Sequence, residues 1–259
     1  RDVIIDFSGG LFASFINYIK IDFYKFYHSK IIKVHFIIPV LAMIPFLSYY
    51  SVSPWNELDK VISYIQIISM SFPLIISIIL NMVYEQEECG GFQYFLTTPN
   101  KKYLPHFSKL ISIIILGLVS TLIAILGFGI MFYIMGNDSI EISFYYKETL
   151  IVFSSNILLY MIQYLVVFYF GKGASIGIGI IGSLISALML TGLGDGIWQV
   201  IPWAYSMRLS SYFILYKENI LIQNSEIIQG IFIMIIFIAI TFISQLIFSN
   251  HWEGNRENY

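Results

Sequence analysis

The stretch LISIIILGLVSTLIAILGFGIMFYIM, residues 110–135, contains no Asp, Glu, Lys or Arg. A helix needs about 20 consecutive apolar residues to cross the hydrocarbon core of a bilayer, and this run is longer than that. The rest of the chain has a similar composition, because 58% of its 259 residues are hydrophobic, only 12% are charged and the mean hydropathy is +0.78. Soluble domains are about half apolar and a quarter charged. The sequence therefore predicts an all-α integral membrane protein.

Apolar runs of sufficient length recur along the chain and predict six transmembrane helices. Pro39 and Pro45 lie in the first run and Pro73 in the second, so both helices are expected to bend. The fourth and fifth runs are separated only by residues 171–173, Gly-Lys-Gly, where we expect the chain to reverse, because one helix through both runs would be too long for a bilayer. The predicted spans are residues 34–50, 61–83, 110–135, 150–170, 174–193 and 227–248.

Residues 11–33 predict an amphipathic helix that lies in the membrane surface ahead of the first span. Such a helix serves either as a simple anchor or as a mechanical element, and the sequence leaves both roles open. Residues 1–10 begin with Arg rather than Met and are expected to be an expression remnant or a disordered start, so the predicted single domain is 11–259. The apolar stripe consists of Phe12, Phe15, Ile16, Ile19, Phe23, Phe26 and Tyr27, with Ser14, Asn17, Asp22, Lys25 and His28 outside it.

The distribution of basic residues predicts the orientation. Most of the 14 Lys and Arg residues fall in the N-terminal segment, the 84–109 loop, the 171–173 turn and the C-terminal tail. Because cytoplasmic loops carry an excess of Lys and Arg, we expect both termini to be cytoplasmic and residues 194–226 to lie outside. The net charge of −2, without a basic cluster, gives no signal for nucleic acid as a partner.

Two enzyme-like motifs do not fit a membrane-spanning context. Residues 173–177 match the G-x-S-x-G motif of serine hydrolases, and Asp195 and His251 follow Ser175 in the chain order of a hydrolase triad. Asp195, however, would lie at the opposite end of the fifth span from Ser175, roughly 30 Å away at about 1.5 Å per residue. Residues 177–182 match the dinucleotide fingerprint, but they lie within an apolar span that no strand precedes. We interpret these glycines as packing positions.

The sequence does not support metal binding or acid–base catalysis either. The four histidines are isolated, Glu87 and Glu88 lack the arginine and histidines of intramembrane prenyl-protein proteases, and no Walker A motif occurs. Cys89 is expected to be a small apolar filler. No charged residue lies deep within a predicted span, which argues against proton-coupled or ion-coupled transport. We therefore expect no catalytic, cofactor-binding or metal-binding residue in this chain.

Small residues recur at every fourth position of the fifth predicted span. This spacing places them on one helix face, where another helix can approach closely, either within the subunit or between subunits. The predicted helix-packing positions are Ser175, Gly179, Ser183 and Ala187.

Residues 84–110 form the longest polar stretch within the apolar chain. Gly90 and Gly91 are expected to end or bend the second helix, since each costs about 1 kcal/mol inside a helix. A short helix is predicted after them, with an apolar stripe at i, i+3 and i+4 and an end at Thr98–Pro99. The stripe consists of Phe92, Phe95 and Leu96.

Charged residues lie on both sides of this short helix. Negatively charged residues are favoured at the N-terminus of a helix. The lysines that follow the helix are expected to contact phosphate headgroups at the membrane surface. Two interpretations remain open, an aromatic knob that inserts into a cleft of another protein and an interfacial loop helix against lipid. The acidic residues are Glu85, Glu87 and Glu88, and the membrane-interface lysines are Lys101, Lys102 and Lys109.

This segment resembles the signature of type-2 ATP-binding-cassette (ABC) exporter permeases. The resemblance covers nearly the whole chain, including the six spans, the N-terminal helix and a long last outer loop. It implies a cytoplasmic coupling helix between helices 2 and 3 that docks onto a separate ATPase subunit. Residues 100–102, Asn-Lys-Lys, depart from the serine-arginine pair of many relatives. The implied coupling interface consists of Glu85, Glu87, Glu88, Gly91, Phe92, Phe95, Leu96, Thr98 and Pro99.

Residues 192–209 resemble the outer segment of lantibiotic-immunity permeases, which remove antimicrobial peptides from the producer's membrane. From the residues alone, the Trp and Tyr side chains here are typical of an aromatic belt at the membrane–water boundary. The alternative is an outer gate or half-entering helix pair that contacts an amphipathic peptide, with Arg208 meeting a lipid phosphate or a peptide carboxylate. The gate residues would be Trp198, Pro202, Trp203 and Arg208.

The resemblance implies a transport subunit without enzymatic activity, in a bacterial cytoplasmic membrane. It implies a partner ABC ATPase in two copies, which binds ATP and Mg, a second permease subunit, identical or related, surrounding membrane lipid and a lantibiotic-like peptide substrate. Two other functions stay open: a type-2 permease that exports lipid-linked glycan or drugs, and a membrane scaffold or sensor that transports nothing.

Overall fold

The computed structural model describes residues 11–97, 101–217 and 224–254, and within these ranges every regular element is helical. A π-helical turn, Leu122–Gly127, joins α5 to α6, and three short 3₁₀ turns lie between α7 and α8. The structure does not describe residues 1–10, which were expected to be a remnant or a disordered start. It also does not describe Thr98 and Pro99 of the implied coupling interface. The helices are α1 Leu11–Tyr27, α2 Lys30–Tyr50, α3 Glu57–Cys89, α4 Gln93–Leu96, α5 Tyr103–Thr121, α6 Phe128–Ile134, α7 Ile142–Leu188, α8 Tyr205–Lys217 and α9 Asn224–His251.

Among the described residues, 5 helices are long and apolar enough to cross a membrane, which supports a multi-pass membrane protein. α2 continues through Pro39 and Pro45, and α3 continues through Pro73. The predicted surface helix 11–33 is two elements, because α1 ends at Tyr27 and Ser29 caps the start of α2 through its side chain. The spanning helices are Lys30–Tyr50, Glu57–Cys89, Tyr103–Ile134, Ile142–Leu188 and Ser225–His251.

The longest helix, α7, is two helices that meet at Gly171. This residue has φ 84° and ψ 179°, a conformation that is essentially restricted to glycine. The Ser175 hydroxyl donates to Gln163 Oε1 over 3.3 Å. On a straight helix these two residues would be about 18 Å apart. The chain therefore folds back at Gly171, as predicted, into a first arm, residues 142–170, and a second arm, residues 172–188.

The backbone conformation at Gly171 leads to a testable prediction. Gly171→Ala is expected to lower the free energy of unfolding by about 1–3 kcal/mol, because alanine is strained at this φ and ψ. The measurement is denaturant or thermal unfolding of the purified protein in lipid nanodiscs. Gly173→Ala is the matched control, since Gly173 has no positive φ and a methyl group there meets no atom within 4 Å. Equal stability of the two variants would contradict the strained reversal.

We call the two ends of the helical bundle the near end and the far end, and each is defined by the contacts it contains. At the near end, Lys109 of α5 pairs with Glu87 of α3, and the Trp252 indole donates to the Phe168 carbonyl over 3.2 Å. At the far end, the Lys60 ammonium donates to the Tyr50 carbonyl over 3.0 Å, and Glu57 accepts from Ser139. α1, α4 and the Gly171 reversal lie at the near end.

The apolar core lies between α3, the α5–α6 helix and the first arm of α7. Tyr64 of α3 stacks on Phe128 of α6, with ring centroids 3.8 Å apart, and its hydroxyl donates to the Ala124 carbonyl over 2.6 Å. Ala124 lies in the π-helical turn, where the altered hydrogen-bond pattern frees carbonyl groups for other donors. Polar groups inside a membrane need hydrogen-bond partners within the protein. The bond between the Tyr64 hydroxyl and the Ala124 carbonyl gives both groups such a partner.

Candidate functional site at the near end of the bundle

Four charged side chains form a cluster at the near end. The Lys109 ammonium is 2.5 Å from Asp22 Oδ1 and 2.7 Å from Glu87 Oε1. Lys25 binds both Glu87 oxygens at 2.9 Å. Lys109 and Asp22 are 0% exposed and Glu87 is 3% exposed, whereas Lys25 reaches the surface with 31% exposure. The two positive and two negative charges balance, so the cluster can remain ionised away from water.

The ion cluster joins three elements that are distant in sequence. Asp22 and Lys25 come from α1, Glu87 from the last turn of α3 and Lys109 from α5. The Ser108 hydroxyl also donates to Asp22 Oδ2, next to the lysine contact. Burial raises the pKa of the Asp22 carboxyl above its ordinary value, although Lys109 opposes this, and burial lowers the pKa of the Lys25 ammonium. α1 is thereby bound to the bundle through its polar side.

Aromatic rings enclose the cluster. The Lys25 ammonium lies 4.0 Å from the centroid of the Tyr94 ring, and Lys109 lies 4.8 Å from the same ring and 5.0 Å from that of Phe26. These are cation–π distances. Tyr94 belongs to α4, so the short helix of the polar stretch contacts the cluster directly.

The short helix α4 forms where an apolar stripe was predicted, but two of its aromatic side chains point into the chain. Phe95 stacks on His106 of α5 with ring centroids 4.1 Å apart, and it meets Trp252 edge-on at 5.7 Å. Phe92 is also buried and meets Trp252 edge-on at 5.1 Å. The expectation of an aromatic knob that inserts into another protein is therefore wrong for Phe92 and Phe95.

The exposed surface of this segment consists of other residues. Leu96 is 37% exposed, and Gln93 and Thr97 are exposed on either side of it. Glu85 and Gly91 are exposed as well, among the predicted coupling residues. Any partner at the near end meets this surface rather than the phenylalanines.

Two predicted acidic coupling residues have partners within the chain. Glu87 belongs to the buried ion cluster, so it is not part of an accessible docking surface. Glu88 pairs with Lys172 at 2.7 Å, which connects the end of α3 to the Gly171 reversal. This pair is partly exposed, and ion pairs of this kind contribute about 0–1 kcal/mol.

The prediction for Lys109 as a membrane-interface residue is wrong, because its ammonium is fully buried between two carboxylates. Lys101 is exposed and Lys102 is half-buried, so only these two can face headgroups. Cys89 is exposed and free, which contradicts its interpretation as a buried filler.

The small-residue face of the second arm packs against α3 within the chain. A methyl group on Gly179 would lie 2.3 Å from the Ser77 hydroxyl oxygen and 3.1 Å from the Pro73 carbonyl oxygen. The Ser183 hydroxyl accepts a hydrogen bond from the Leu74 amide of α3 over 3.3 Å. Ser175 is buried and Ala187 is half-buried on the same arm.

At the far end, the predicted gate residues lie within the bundle. Trp198 is fully buried against Gly230 of α9, and its ring lies 5.6 Å from that of Tyr212. Trp203 packs against Gly182 of the second arm, where a methyl group would come within 2.3 Å of the indole. Pro202 is half-buried at the start of the last 3₁₀ turn. Trp198 is therefore not an exposed member of an aromatic belt.

The Arg208 side chain forms hydrogen bonds and an ion pair with other residues of the chain. Its guanidinium donates to the carbonyls of Met189 and Thr191 and pairs with Asp195 at 2.9 Å. Arg208 is also buried, so the structure contradicts the expectation that it meets a lipid phosphate or a peptide carboxylate. It holds the turn after the second arm to α8.

α8 lies alongside the first arm of α7 rather than across its end. Asn156 Nδ2 donates to the Ser206 hydroxyl oxygen over 3.1 Å, and Phe213 stacks on Phe144 with centroids 5.5 Å apart. Residues 144 and 156 are about 18 Å apart along a helix, so α8 begins well inside the bundle and returns toward the far end.

Sequence reasoning missed the ion cluster and one further buried charge. Asp22 and Lys25 differ by three positions and share a helix face with Phe26, which is a signal, but their partners lie more than 60 positions away. Glu148 of α7 is fully buried, although no charged residue was expected deep within a span. It was missed because the predicted fourth span began two residues after it.

No group of three or more His, Cys, Asp or Glu residues in the described ranges could hold a metal ion. The fold is that of a multi-pass, all-helical membrane protein with a buried ion cluster at one end. No family model matches the chain, and no curated protein and no solved structure matches it.

Proposed function

We propose that this chain is the membrane-spanning permease subunit of an ATP-driven ABC exporter. In this proposal the two arms of α7 are separate crossings, so the chain crosses the membrane six times and both termini lie on the same side. The excess of basic residues then assigns the near end to the cytoplasm of a bacterial membrane. The chain has no catalytic role, and ATP with Mg binds to the partner ATPase.

The observation that carries the proposal is the position of α4 beside the ion cluster. Tyr94 of α4 contacts Lys25 and Lys109, while Phe95 stacks on His106 of α5. A displacement of α4 by an ATPase would therefore move α1, α3 and α5 together, because buried ion pairs and packed rings resist independent motion. This is what a coupling helix requires.

The exposed surface around α4 is the proposed ATPase contact. Gln93, Leu96, Thr97 and Glu85 are exposed at the near end, and two ATPase copies would dock on a pair of permease chains. The second permease is identical or related. ATP binding and hydrolysis would shift the pair between two states, each favoured by different contacts.

The proposed substrate is a lantibiotic or similar antimicrobial peptide that is expelled from the membrane. The support is the far-end segment, where Trp203 lies within the bundle next to Gly182 and α8 follows it. A half-buried indole there offers an apolar surface to an amphipathic peptide.

The docking proposal predicts that Leu96→Asp lowers ATPase co-purification about tenfold or more, since a central apolar contact in an interface contributes about 2 kcal/mol or more. Protein level is expected to stay normal because Leu96 is exposed. The measurement is a pull-down in mild detergent, with partners identified by mass. Val52→Asp places the same change at an exposed far-end residue and is expected to retain the ATPase.

Three results would each contradict a part of the proposal. Retention of the ATPase by Leu96→Asp at the level of Val52→Asp would exclude α4 as the docking site. A pull-down of the unmodified protein without any ATPase would exclude the transporter assignment and favour a scaffold or sensor. Unchanged lantibiotic susceptibility in cells lacking the subunit would exclude the peptide substrate alone.

A further inference from the structure

Glu148 is a buried carboxyl group inside the helical bundle. Its side chain is 0% exposed in the first arm of α7, and one oxygen, Oε1, accepts a hydrogen bond from Ser210 of α8. The other oxygen, Oε2, is buried without a hydrogen-bond partner. Neither oxygen forms an ion pair with the described residues.

Glu148 belongs to a polar seam between α7 and α8. Ser206 and Ser210, one helical turn apart on α8, face Asn156 and Glu148 on the first arm. The seam has spare hydrogen-bonding capacity, because Asn156 Oδ1 is buried without a partner as well. These two side-chain hydrogen bonds connect the two helices.

Three charged groups on the surrounding elements have other partners. Arg208 pairs with Asp195, Glu57 accepts from Ser139, and Lys60 donates to the Tyr50 carbonyl. In the described ranges none of these groups bonds to Glu148. The titratable residues on the far-end parts of these elements include Tyr145, Tyr146 and Lys147 on α7, Glu57, Asp59, Lys60 and Tyr64 on α3, Tyr133 on α6, Tyr205, Arg208, Tyr212 and Tyr216 on α8, and Glu226 on α9.

An ionised carboxylate in this position would be very unfavourable. Burial of a charge without a counter-charge costs many kcal/mol, and a buried carboxyl group avoids this cost by holding a proton. The contact with Ser210 supplies one neutral hydrogen bond and no positive charge. Glu148 is therefore neutral while α8 lies on the first arm.

We propose that Glu148 is a proton-binding site, and that its proton holds α8 against the first arm of α7. Release of the proton leaves a carboxylate that must be hydrated, so water enters the seam and the α7–α8 contact opens. Since α8 follows the segment that contains Trp203, protonation would control the position of that segment in the bundle. The proposal does not depend on the ATPase assignment.

Infrared spectroscopy of the protein in lipid nanodiscs tests the protonation state. At neutral pH we expect a C=O stretching band of a protonated carboxyl group that shifts in D₂O and is lost in Glu148→Gln. The control, Glu141→Gln, removes an exposed carboxylate that also accepts from a serine hydroxyl, Ser143, and is expected to leave the band unchanged. Persistence of the band in Glu148→Gln, or its absence from the unmodified protein, would overturn the proposal.

Spin-label distances test the coupling to α8. Labels at Tyr146→Cys and Tyr216→Cys report the α7–α8 separation from exposed positions, in a Cys89→Ser background that removes the native thiol. We expect the distance to lengthen as the pH rises in the parent and in Glu141→Gln. It should stay short in Glu148→Gln, whose amide is permanently neutral. A pH-dependent opening that persists in Glu148→Gln, or a distance that does not respond to pH in the parent, would refute the coupling.

Discussion

Lys109→Met is expected to lower the free energy of unfolding by about 3–5 kcal/mol, the range typical for removal of one partner from a buried ion pair. Methionine is unbranched like lysine and only one heavy atom shorter, so most of the cost comes from charge rather than volume. Asp22 loses its only ion-pair partner in the described residues, and Glu87 keeps Lys25 alone. The measurement is unfolding in nanodiscs by denaturant, with the near end followed by tryptophan fluorescence.

Lys101→Met is the matched control for this prediction. Lys101 lies on the same polar stretch but is exposed, so its replacement is expected to change stability by about 0.5 kcal/mol or less. The double variant Lys109→Met with Asp22→Asn restores charge balance and should recover much of the loss, since Glu87 and Lys25 remain paired. A single variant as stable as Lys101→Met would show that the buried cluster does not form.

Phe95→Asp is expected to destabilise the near end by about 4 kcal/mol or more. Removal of a buried aromatic ring costs about 3–5 kcal/mol, and a carboxylate in its place would lie against His106 without a cationic partner. Phe95 also meets Phe168 and Trp252, so the α4, α7 and α9 ends lose a shared contact. We expect little folded protein after membrane extraction, measured by gel-filtration profile and by unfolding midpoint.

Leu96→Asp controls for the chemistry of the substitution at the next position of the same helix. Leu96 is exposed, so this variant is expected to fold normally and to lose only a surface contact. If Phe95→Asp folds as well as Leu96→Asp, the ring of Phe95 does not lie in the aromatic cluster. The pair thereby separates a packing role from a docking role, which substitution of the phenylalanine alone cannot do.

The sequence predicted the helical features that depend on local composition. Apolar runs longer than a bilayer crossing predict membrane helices wherever they fall, because each helix satisfies its own backbone hydrogen bonds. The Gly171 reversal followed from run length and from a turn residue that tolerates positive φ. The short helix α4 followed from glycines and an i, i+3, i+4 stripe.

The direction in which a side chain points was harder to predict. Phe92 and Phe95 lie on an apolar stripe that would suit either the chain's own core or a partner's cleft. Phe95 packs on His106 of α5, on Phe168 of α7 and on Trp252, which follows α9, and Phe92 also packs on Trp252. No local pattern records this, because the three elements meet only after the helices have assembled.

The sequence by itself determined that this is an all-helical membrane protein, since hydrophobicity and chain length act on each segment independently. Only the tertiary structure decided which charges are solvated and which are buried. Lys109 and Glu87 lie near the ends of apolar runs, where either environment was compatible with the sequence. Pairing across α1, α3 and α5 removed Lys109 from the membrane surface, and the α7–α8 contact enclosed Glu148. Burial of a charge depends on partners from distant segments, and that dependence exists only in the folded bundle.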